Sequence, residues 1–115
     1  MAEIFRCRDK DNVIVICTKD TWENHIVAEH SEMKGCEAIV KAAIEKPYQI
    51  YQDGRHPNQK NFYKPFVLPK PFHTQYLRIA VKYRKRMFGE LRGHVSTAFA
   101  CQKKRKGDIL IWQQQ

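Results

Sequence analysis

The sequence predicts an α+β domain, with two helices near the N-terminus and an antiparallel sheet that has one apolar face. Two helices are predicted because apolar residues recur at helical spacing within 20–30 and, most clearly, in CEAIVKAAIEK at 36–46. The sheet is predicted from YLRIAVKY at 76–83, where apolar and basic residues alternate, so that successive side chains point to opposite faces. We therefore expect Leu77, Ile79 and Val81 to be buried against the second helix.

The remaining elements follow from local composition. Thr18 or Asp20 can cap the first helix, and Pro47 ends the second. Residues 54–75 hold most of the prolines and predict a long irregular segment, in which NFYKPF can form a short strand. The predicted strands are EIFRCR and VIVICT, which form an N-terminal hairpin, then YQIYQD, YLRIAVKY, HVSTAFAC and ILIWQ.

Alternation within HVSTAFAC assigns its side chains to the two faces of the sheet. It predicts Val95, Thr97 and Phe99 on one face, with the intervening side chains on the other. The face opposite the helices would then present polar and basic side chains to solvent or to a ligand.

Length and composition predict a single domain, 1–115, in the cytoplasm. The 115 residues are 43% hydrophobic, and no apolar run approaches the ~20 residues that a membrane span requires. The N-terminus lacks the apolar region of a signal peptide. Without a membrane span we expect no membrane partner. The four cysteines form no CxxC pair, so we expect reduced thiols and no structural metal. A contact between Cys7 and Cys17 across the N-terminal hairpin is left open.

The charge is distributed very unevenly along the chain. Residues 1–54 hold 7 Lys/Arg and 10 Asp/Glu, a net charge of −3, whereas residues 55–115 hold 14 Lys/Arg and 2 Asp/Glu, a net charge of +12. A basic half of this strength favours a polyanion partner, and nucleic acid is the usual one. A solubilising surface is the alternative. We expect the cluster of Lys103, Lys104, Arg105 and Lys106 to attract RNA rather than to act in catalysis.

Several side chains are suited to cleaving RNA without a metal, which requires a base, an acid and cations that stabilise the phosphorane. Histidine suits proton transfer near neutral pH, and His25 and His30 lie on the first predicted helix. Arg78 and Lys82 share one strand face and are candidates for binding the phosphate. The alternatives are surface histidines and a solvated strand face. Histidines five positions apart lie on different faces of an α-helix, which makes them a poor metal chelate.

A family resemblance rests on five segments in order: TWENHIVAEHSE, AAIEKPYQIYQD, NFYKPF, YLRIAVKY and GHVSTAF. Together they resemble the phage and mobile-element nucleases of the barnase–EndoU–colicin–RelE-like (BECR) superfamily. The resemblance covers about residues 21–100, and it departs from the group at Ser31, where proline is common. It implies a metal-independent ribonuclease in which two N-terminal helices pack on one face of a four- or five-stranded antiparallel sheet, as in barnase or RelE.

The resemblance also implies which residues act and which partners bind. It implies catalytic roles for His25, His30, Arg78 and Ser96 or Thr97, and RNA contacts by Tyr63 and Lys64. It further implies a toxin-like endonuclease that cuts by attack of the ribose 2′-hydroxyl, without a cofactor, and that is neutralised by an antitoxin or immunity protein.

Two other functions fit the same sequence. One is a non-catalytic nucleic-acid-binding module of the same fold, and the other is a small interaction protein whose basic surface meets an acidic partner. The RNA that is cut, a requirement for ribosomes and the oligomeric state are left open by the sequence.

Overall fold

The computed structural model describes residues 2–115 and consists mainly of one seven-stranded mixed sheet. The strand order across the sheet is β1-β2-β6-β5-β4-β3-β7. The strands are β1 (Glu3–Arg8), β2 (Ile14–Thr18), β3 (Gln49–Gln52), β4 (Gln59–Pro65), β5 (Tyr76–Lys85), β6 (Leu91–Cys101) and β7 (Ile109–Gln113). All neighbouring strands are antiparallel except β2 and β6, which are parallel.

The predicted architecture of two helices on a four- or five-stranded antiparallel sheet is wrong, since the chain is mostly sheet with only short helices. The N-terminal hairpin forms as predicted, but it joins the main sheet through a parallel pairing of β2 with β6. The segment 54–75 contributes the seven-residue strand β4. The last strand, β7, passes to the far side of the sheet and pairs with β3. Such long-range pairings leave no local signal in the sequence.

The helical parts are short. The first helical segment covers 19–29, in which an α turn at Lys19–Thr21 leads into a π-helical turn at Trp22–Ile26 and a final α turn at Val27–Glu29. The side chain of Thr18 caps this segment by accepting a hydrogen bond from the Thr21 N–H at 3.1 Å. A 3₁₀ turn, Ser31–Met33, follows, and the second helix spans Glu37–Glu45.

The core lies between the helices and one face of the sheet. Leu77, Ile79 and Val81 are fully buried there, in one cluster with Val40 and Ile44 of the second helix. The predicted burial of this strand face is therefore confirmed. Trp22 and Ile26 of the first helical segment, along with Phe62 of β4, complete the same cluster.

Strand β6 contains a bulge that changes the facing of its side chains. Ala80 of β5 pairs with Thr97 and Val81 pairs with Val95, so Ser96 is an additional residue on β6. Val95 and Ala98 consequently face the core, whereas Thr97 and Phe99 lie on the opposite face of the sheet. The prediction that Val95, Thr97 and Phe99 share a face is wrong, because simple alternation does not hold across a bulge.

The part of β6 that β2 does not cover and the outer edge of the sheet at β7 have different surroundings. Strand β2 pairs with β6 only from Arg92 to His94, and the first helical segment lies against the rest of β6. There the carboxylate of Glu32 accepts a hydrogen bond from the Ala100 N–H at 3.1 Å. By contrast, β7 forms an outer edge on which Ile109, Leu110 and Ile111 are exposed.

The thiols are free across residues 2–115, and three of the four are buried. Burial raises the pKa of Cys7 to about 11 and that of Cys17 to about 12, so both stay protonated and act as packing residues. No helix in this part of the chain combines the length and apolar character needed to cross a bilayer.

Candidate functional site

A cleft of about 490 Å³ opens between the first helical segment and β6. We call it the histidine cleft, and its lining residues are Thr21, His25, Glu29, His30, Ser96, Thr97 and Phe99. Four residues predicted as catalytic from the sequence, His25, His30, Ser96 and Thr97, are thus brought together.

The π-helical turn explains how two histidines five positions apart reach one cleft. In a regular α-helix, positions five apart differ by about 140° around the axis. Here the Val27 N–H bonds to the carbonyl of Trp22, five residues earlier, which widens the helix at this point. His30 then follows the last helical turn with a non-helical backbone, at φ −133° and ψ 78°. Both departures direct His25 and His30 toward β6.

The two histidines have different surroundings. The ring of His30 stacks on Phe99, with centroids 4.8 Å apart and planes inclined by 26°. His25 is more open to solvent, and its Nε2 lies 3.8 Å from the exposed carboxylate of Asp20. His30 is therefore held against the sheet, while His25 sits on the outer wall of the cleft.

A second cleft, of about 500 Å³, continues from the first and shares Thr21 and Ser96 with it. We call it the basic cleft, and its lining residues are Thr21, Lys82, Arg84, His94, Val95 and Ser96. Two cross-strand pairs between β5 and β6 supply the cations: Lys82 is opposite His94, and Arg84 is opposite Arg92. The two clefts thus form a continuous surface on which acid–base groups adjoin positive charge.

His94 is predisposed to be neutral. Partial burial lowers its pKa, and the positive charges of Arg92 and Arg84 lower it further. A neutral imidazole offers both a hydrogen-bond donor and an acceptor. His94 can therefore contact a polar ligand in the basic cleft without carrying a permanent charge.

Arg78 lies outside both clefts. Its side chain is 8% exposed, its Nε donates a hydrogen bond to the Tyr63 hydroxyl at 3.2 Å, and its guanidinium packs on Phe99 at 5.1 Å. Its Nη2 has no hydrogen-bond partner among residues 2–115 and lies 4.0 Å from Asp53. Alternation placed Arg78 correctly on the second face of the sheet, but that position is covered, so its predicted contact with a phosphate is not supported.

Arg78 belongs to a polar cluster on the second face, formed by Asp53, Gln59, Asn61, Tyr63, Arg78, Arg105 and Asp108. Asn61 is central to it, since its amide donates to Asp53 at 3.0 Å and to Asp108 at 2.8 Å. A Cβ on Gly54 would approach the carbonyl oxygen of Gly107 to 2.5 Å. Position 54 must therefore be glycine for the loop after β3 to pack against the 102–108 loop. The cluster fastens the 102–108 loop to the sheet.

Asp53 is the charged centre of this cluster. Burial on its own raises the pKa of the carboxyl, but hydrogen bonds from Asn61 and from the backbone N–H groups of Arg55 and His56, with the charge of Arg105, outweigh it and lower the pKa to about 2. Asp53 is therefore ionised at neutral pH, and it compensates the buried charge of Arg78.

The predicted RNA-binding residues differ in accessibility. Tyr63 is 1% exposed and bonded within the cluster, so it is not available to stack on a base. The Lys64 amine donates to the carbonyl of Lys46 at 2.8 Å.

The cations of the predicted basic cluster in the 102–108 loop differ in their contacts with the rest of the described chain. Lys104 lies over the Tyr76 ring, and Arg105 lies 3.7 Å from Asp53. Lys103 and Lys106 are exposed, so their amines are accessible to a polyanion.

Sequence reasoning missed several residues of the two clefts, namely Thr21, Glu29, Arg84 and the cleft-facing position of Phe99. Glu29 lies four residues after His25, and that spacing is a helical signal that could have identified it. The position of Phe99 depends on the bulge at Ser96, which alternation hides.

Comparisons with protein-family models, with curated proteins and with solved structures find no match. Within residues 2–115 no three His, Cys, Asp or Glu side chains are grouped closely enough to hold a metal ion.

Proposed function

We propose that the protein is a metal-independent RNA endonuclease whose active site is the histidine cleft. One observation carries the proposal: His25, His30 and Glu29 line the same cleft as the hydroxyls of Ser96 and Thr97, and that cleft adjoins the cations of the basic cleft. Proton-transfer groups beside phosphate-binding cations are what ribose-assisted cleavage needs. The resemblance to the BECR superfamily implies the same chemistry, although the barnase-like or RelE-like fold that it also implies is wrong for this chain.

In the proposed reaction, the 2′-oxygen of a ribose forms a bond to the adjacent phosphorus as the bond from phosphorus to the 5′-oxygen breaks. One histidine takes the proton from the 2′-hydroxyl, and a second group protonates the departing 5′-oxygen. The products are a 2′,3′-cyclic phosphate and a 5′-hydroxyl. His25, His30 and Glu29 are the three candidates for these two proton transfers.

Lys82 and Arg84 are the proposed cations for the scissile phosphate and its neighbour, and they replace Arg78 in that role. The backbone and hydroxyl of Ser96, at the bulge, together with the Thr97 hydroxyl, are suited to binding a phosphate or ribose oxygen. Bulges frequently direct side chains into active sites.

The proposal extends to cellular context. An RNA endonuclease that acts in the cytoplasm damages its own cell, so we propose a toxin-like role with a neutralising antitoxin or immunity protein. The net charge of +12 over residues 55–115 favours an acidic surface on that partner.

The test is incubation of the purified protein with total RNA, with and without EDTA, followed by analysis of the product ends. Cleavage that persists in EDTA and leaves cyclic phosphate ends supports the proposal. Binding without cleavage would instead favour the non-catalytic nucleic-acid-binding module, and 3′-hydroxyl ends would contradict the ribose-assisted reaction.

A further inference from the structure

The hairpin that joins β5 to β6 projects beyond its neighbours in the sheet. The pairing of β4 with β5 ends at Lys82, and that of β2 with β6 begins at Arg92. Tyr83 makes one further backbone contact, since its N–H donates to the Asn58 carbonyl at 2.8 Å. From Arg84 to Leu91, β5 and β6 pair only with each other among the described residues, and the turn is closed by the Arg86 N–H donating to the Glu90 carbonyl at 2.7 Å. We call residues 86–90 the hairpin tip.

The hairpin tip presents two large apolar side chains to solvent. Met87 is 92% exposed and Phe88 is 94% exposed, the highest values among the exposed large hydrophobic residues of the described chain. Neither joins the core cluster. Because these two side chains are not buried in the fold, their apolar surfaces are free to contact a ligand.

Repulsion between positive charges around the tip destabilises the folded hairpin. Segment 82–92 carries five Lys/Arg and one Glu, a net charge of +4. Arg84 lies directly opposite Arg92 in the β5–β6 pairing, and like charges in that arrangement destabilise a sheet. Glu90 offsets part of this charge, since it lies 3.1 Å from Arg92 and 3.6 Å from Arg86. A polyanion bound along the hairpin would neutralise the rest.

The tip is continuous with the proposed active site. Lys82 and Arg84 lie on the same face of β5, and both line the basic cleft. At a rise of about 3.3 Å per strand residue, Phe88 lies within roughly 20 Å of Lys82. A single strand of nucleic acid can follow the cations from the histidine cleft to the tip.

We propose that the hairpin tip is a binding site for single-stranded RNA, in which Phe88 stacks on an unpaired base while Arg84 and Arg92 bind the flanking phosphates. Aromatic side chains interleaved with cations form the usual surface for single strands, because every base has a face that can stack. The choice of RNA rests on the proposed function. The site would select substrates with an unpaired nucleotide at a set distance from the cleaved bond.

The test is the affinity of the full-length protein for a single-stranded oligonucleotide of roughly a dozen 2′-O-methyl nucleotides, within the span of known single-strand sites. This oligonucleotide cannot be cut by attack of the 2′-hydroxyl. Binding at the tip is therefore measured whether or not the protein is a ribonuclease. Phe88→Ala should weaken binding roughly 5- to 150-fold, the loss typical of one stacked base. Phe88→Trp should keep the affinity and show fluorescence quenching on titration.

The matched control is Phe66, another exposed aromatic residue at 75% exposure, which follows the end of β4 farthest from the tip. Phe66→Ala should bind the oligonucleotide as the wild type does, and Phe66→Trp should show no quenching. A duplex of the same sequence should lose little affinity in Phe88→Ala, because its bases are already stacked.

Three results would overturn the proposal. They are unchanged affinity of Phe88→Ala for the single strand, an equal loss in Phe66→Ala, and an equal loss for the duplex. Vesicles containing phosphatidylserine distinguish a membrane-binding tip: loss of vesicle binding in Phe88→Ala with unchanged RNA affinity assigns the tip to anionic lipid instead.

Discussion

The ring of His30 lies against the ring of Phe99, with their centroids 4.8 Å apart. Phe99 reaches this position only because Ser96 is inserted into β6, and its ring also packs on the guanidinium of Arg78. Phe99 thus connects His30, a candidate acid–base residue, with Arg78 of the polar cluster on the second face of the sheet.

The first prediction concerns that stacking. Phe99→Leu keeps an apolar residue but removes the flat surface, so His30 loses its fixed orientation. We expect kcat for RNA cleavage to fall roughly ten- to a hundredfold with little change in KM, as is typical when a catalytic group is misplaced. Phe99→Tyr keeps the ring and should retain most activity. Wild-type kcat in Phe99→Leu would show that the stacking does not position His30.

The second prediction concerns the histidines themselves. His25→Ala or His30→Ala should lower cleavage by at least about a hundredfold while RNA affinity and thermal unfolding stay near those of the wild type, because a positioned acid or base contributes ~10²–10⁴ in rate. His73, on the exposed loop before β5, provides the control, and His73→Ala should cleave normally. Full activity in the double variant of His25 and His30 would place the chemistry elsewhere.

The third prediction separates the cations of the 102–108 loop. Replacing exposed Lys103 and Lys106 with glutamine should reduce the slope of log affinity against log salt by about 1.4 for single-stranded RNA, if each contacts one phosphate. Neither Lys103→Gln nor Lys106→Gln should change the free energy of unfolding. Arg105→Gln should instead lower stability, because Arg105 lies 3.7 Å from Asp53 within the polar cluster. An unchanged salt slope would exclude this loop from the RNA surface.

The fourth prediction concerns Asp53. Its pKa of about 2 in the folded protein lies below the ordinary value of 3.8, so the unfolded chain takes up the proton first as the pH falls. The contribution of Asp53 to stability is therefore complete above about pH 4 and is lost as the pH falls toward 2. Asp53→Asn should be less stable by about 1–3 kcal/mol at pH 7, because buried donors lose a charged acceptor.

Urea unfolding at several pH values measures this effect. The difference in unfolding free energy between wild type and Asp53→Asn should shrink as the pH falls from 4 to 2. Asp11→Asn, which changes an exposed carboxyl in the β1–β2 turn, is the matched control and should unfold as the wild type does at pH 7. A constant difference for Asp53→Asn would mean that its ionisation is not coupled to folding.

Local elements of the fold were predictable, and their assembly was not. The alternation in YLRIAVKY predicted β5 and its buried face, because Leu77, Ile79 and Val81 meet the same core. The pairing of β7 with β3 and the parallel pairing of β2 with β6 join segments distant in sequence, for which periodicity carries no signal.

Parts of the site were hidden for similar reasons. His25 and His30 were identified by residue type, but the π-helical turn that brings them to one cleft has no recognisable pattern. Arg78 was assigned to an exposed face because alternation reports the side of a strand and not what covers it. The cover is the 102–108 loop, which is held by side-chain contacts with Asn61 and Tyr63.

The outer edge of β7 has a consequence for the behaviour of the protein at high concentration. Among the described residues β7 has a neighbouring strand on one side only. Its outer backbone groups, beside exposed Ile109 and Ile111, therefore form a surface to which a second molecule can add its own strand. The formal charge of +9 keeps molecules apart at low ionic strength, and added salt screens that repulsion. Colloidal stability should therefore decrease as salt increases, and light scattering should accompany every salt titration of RNA binding.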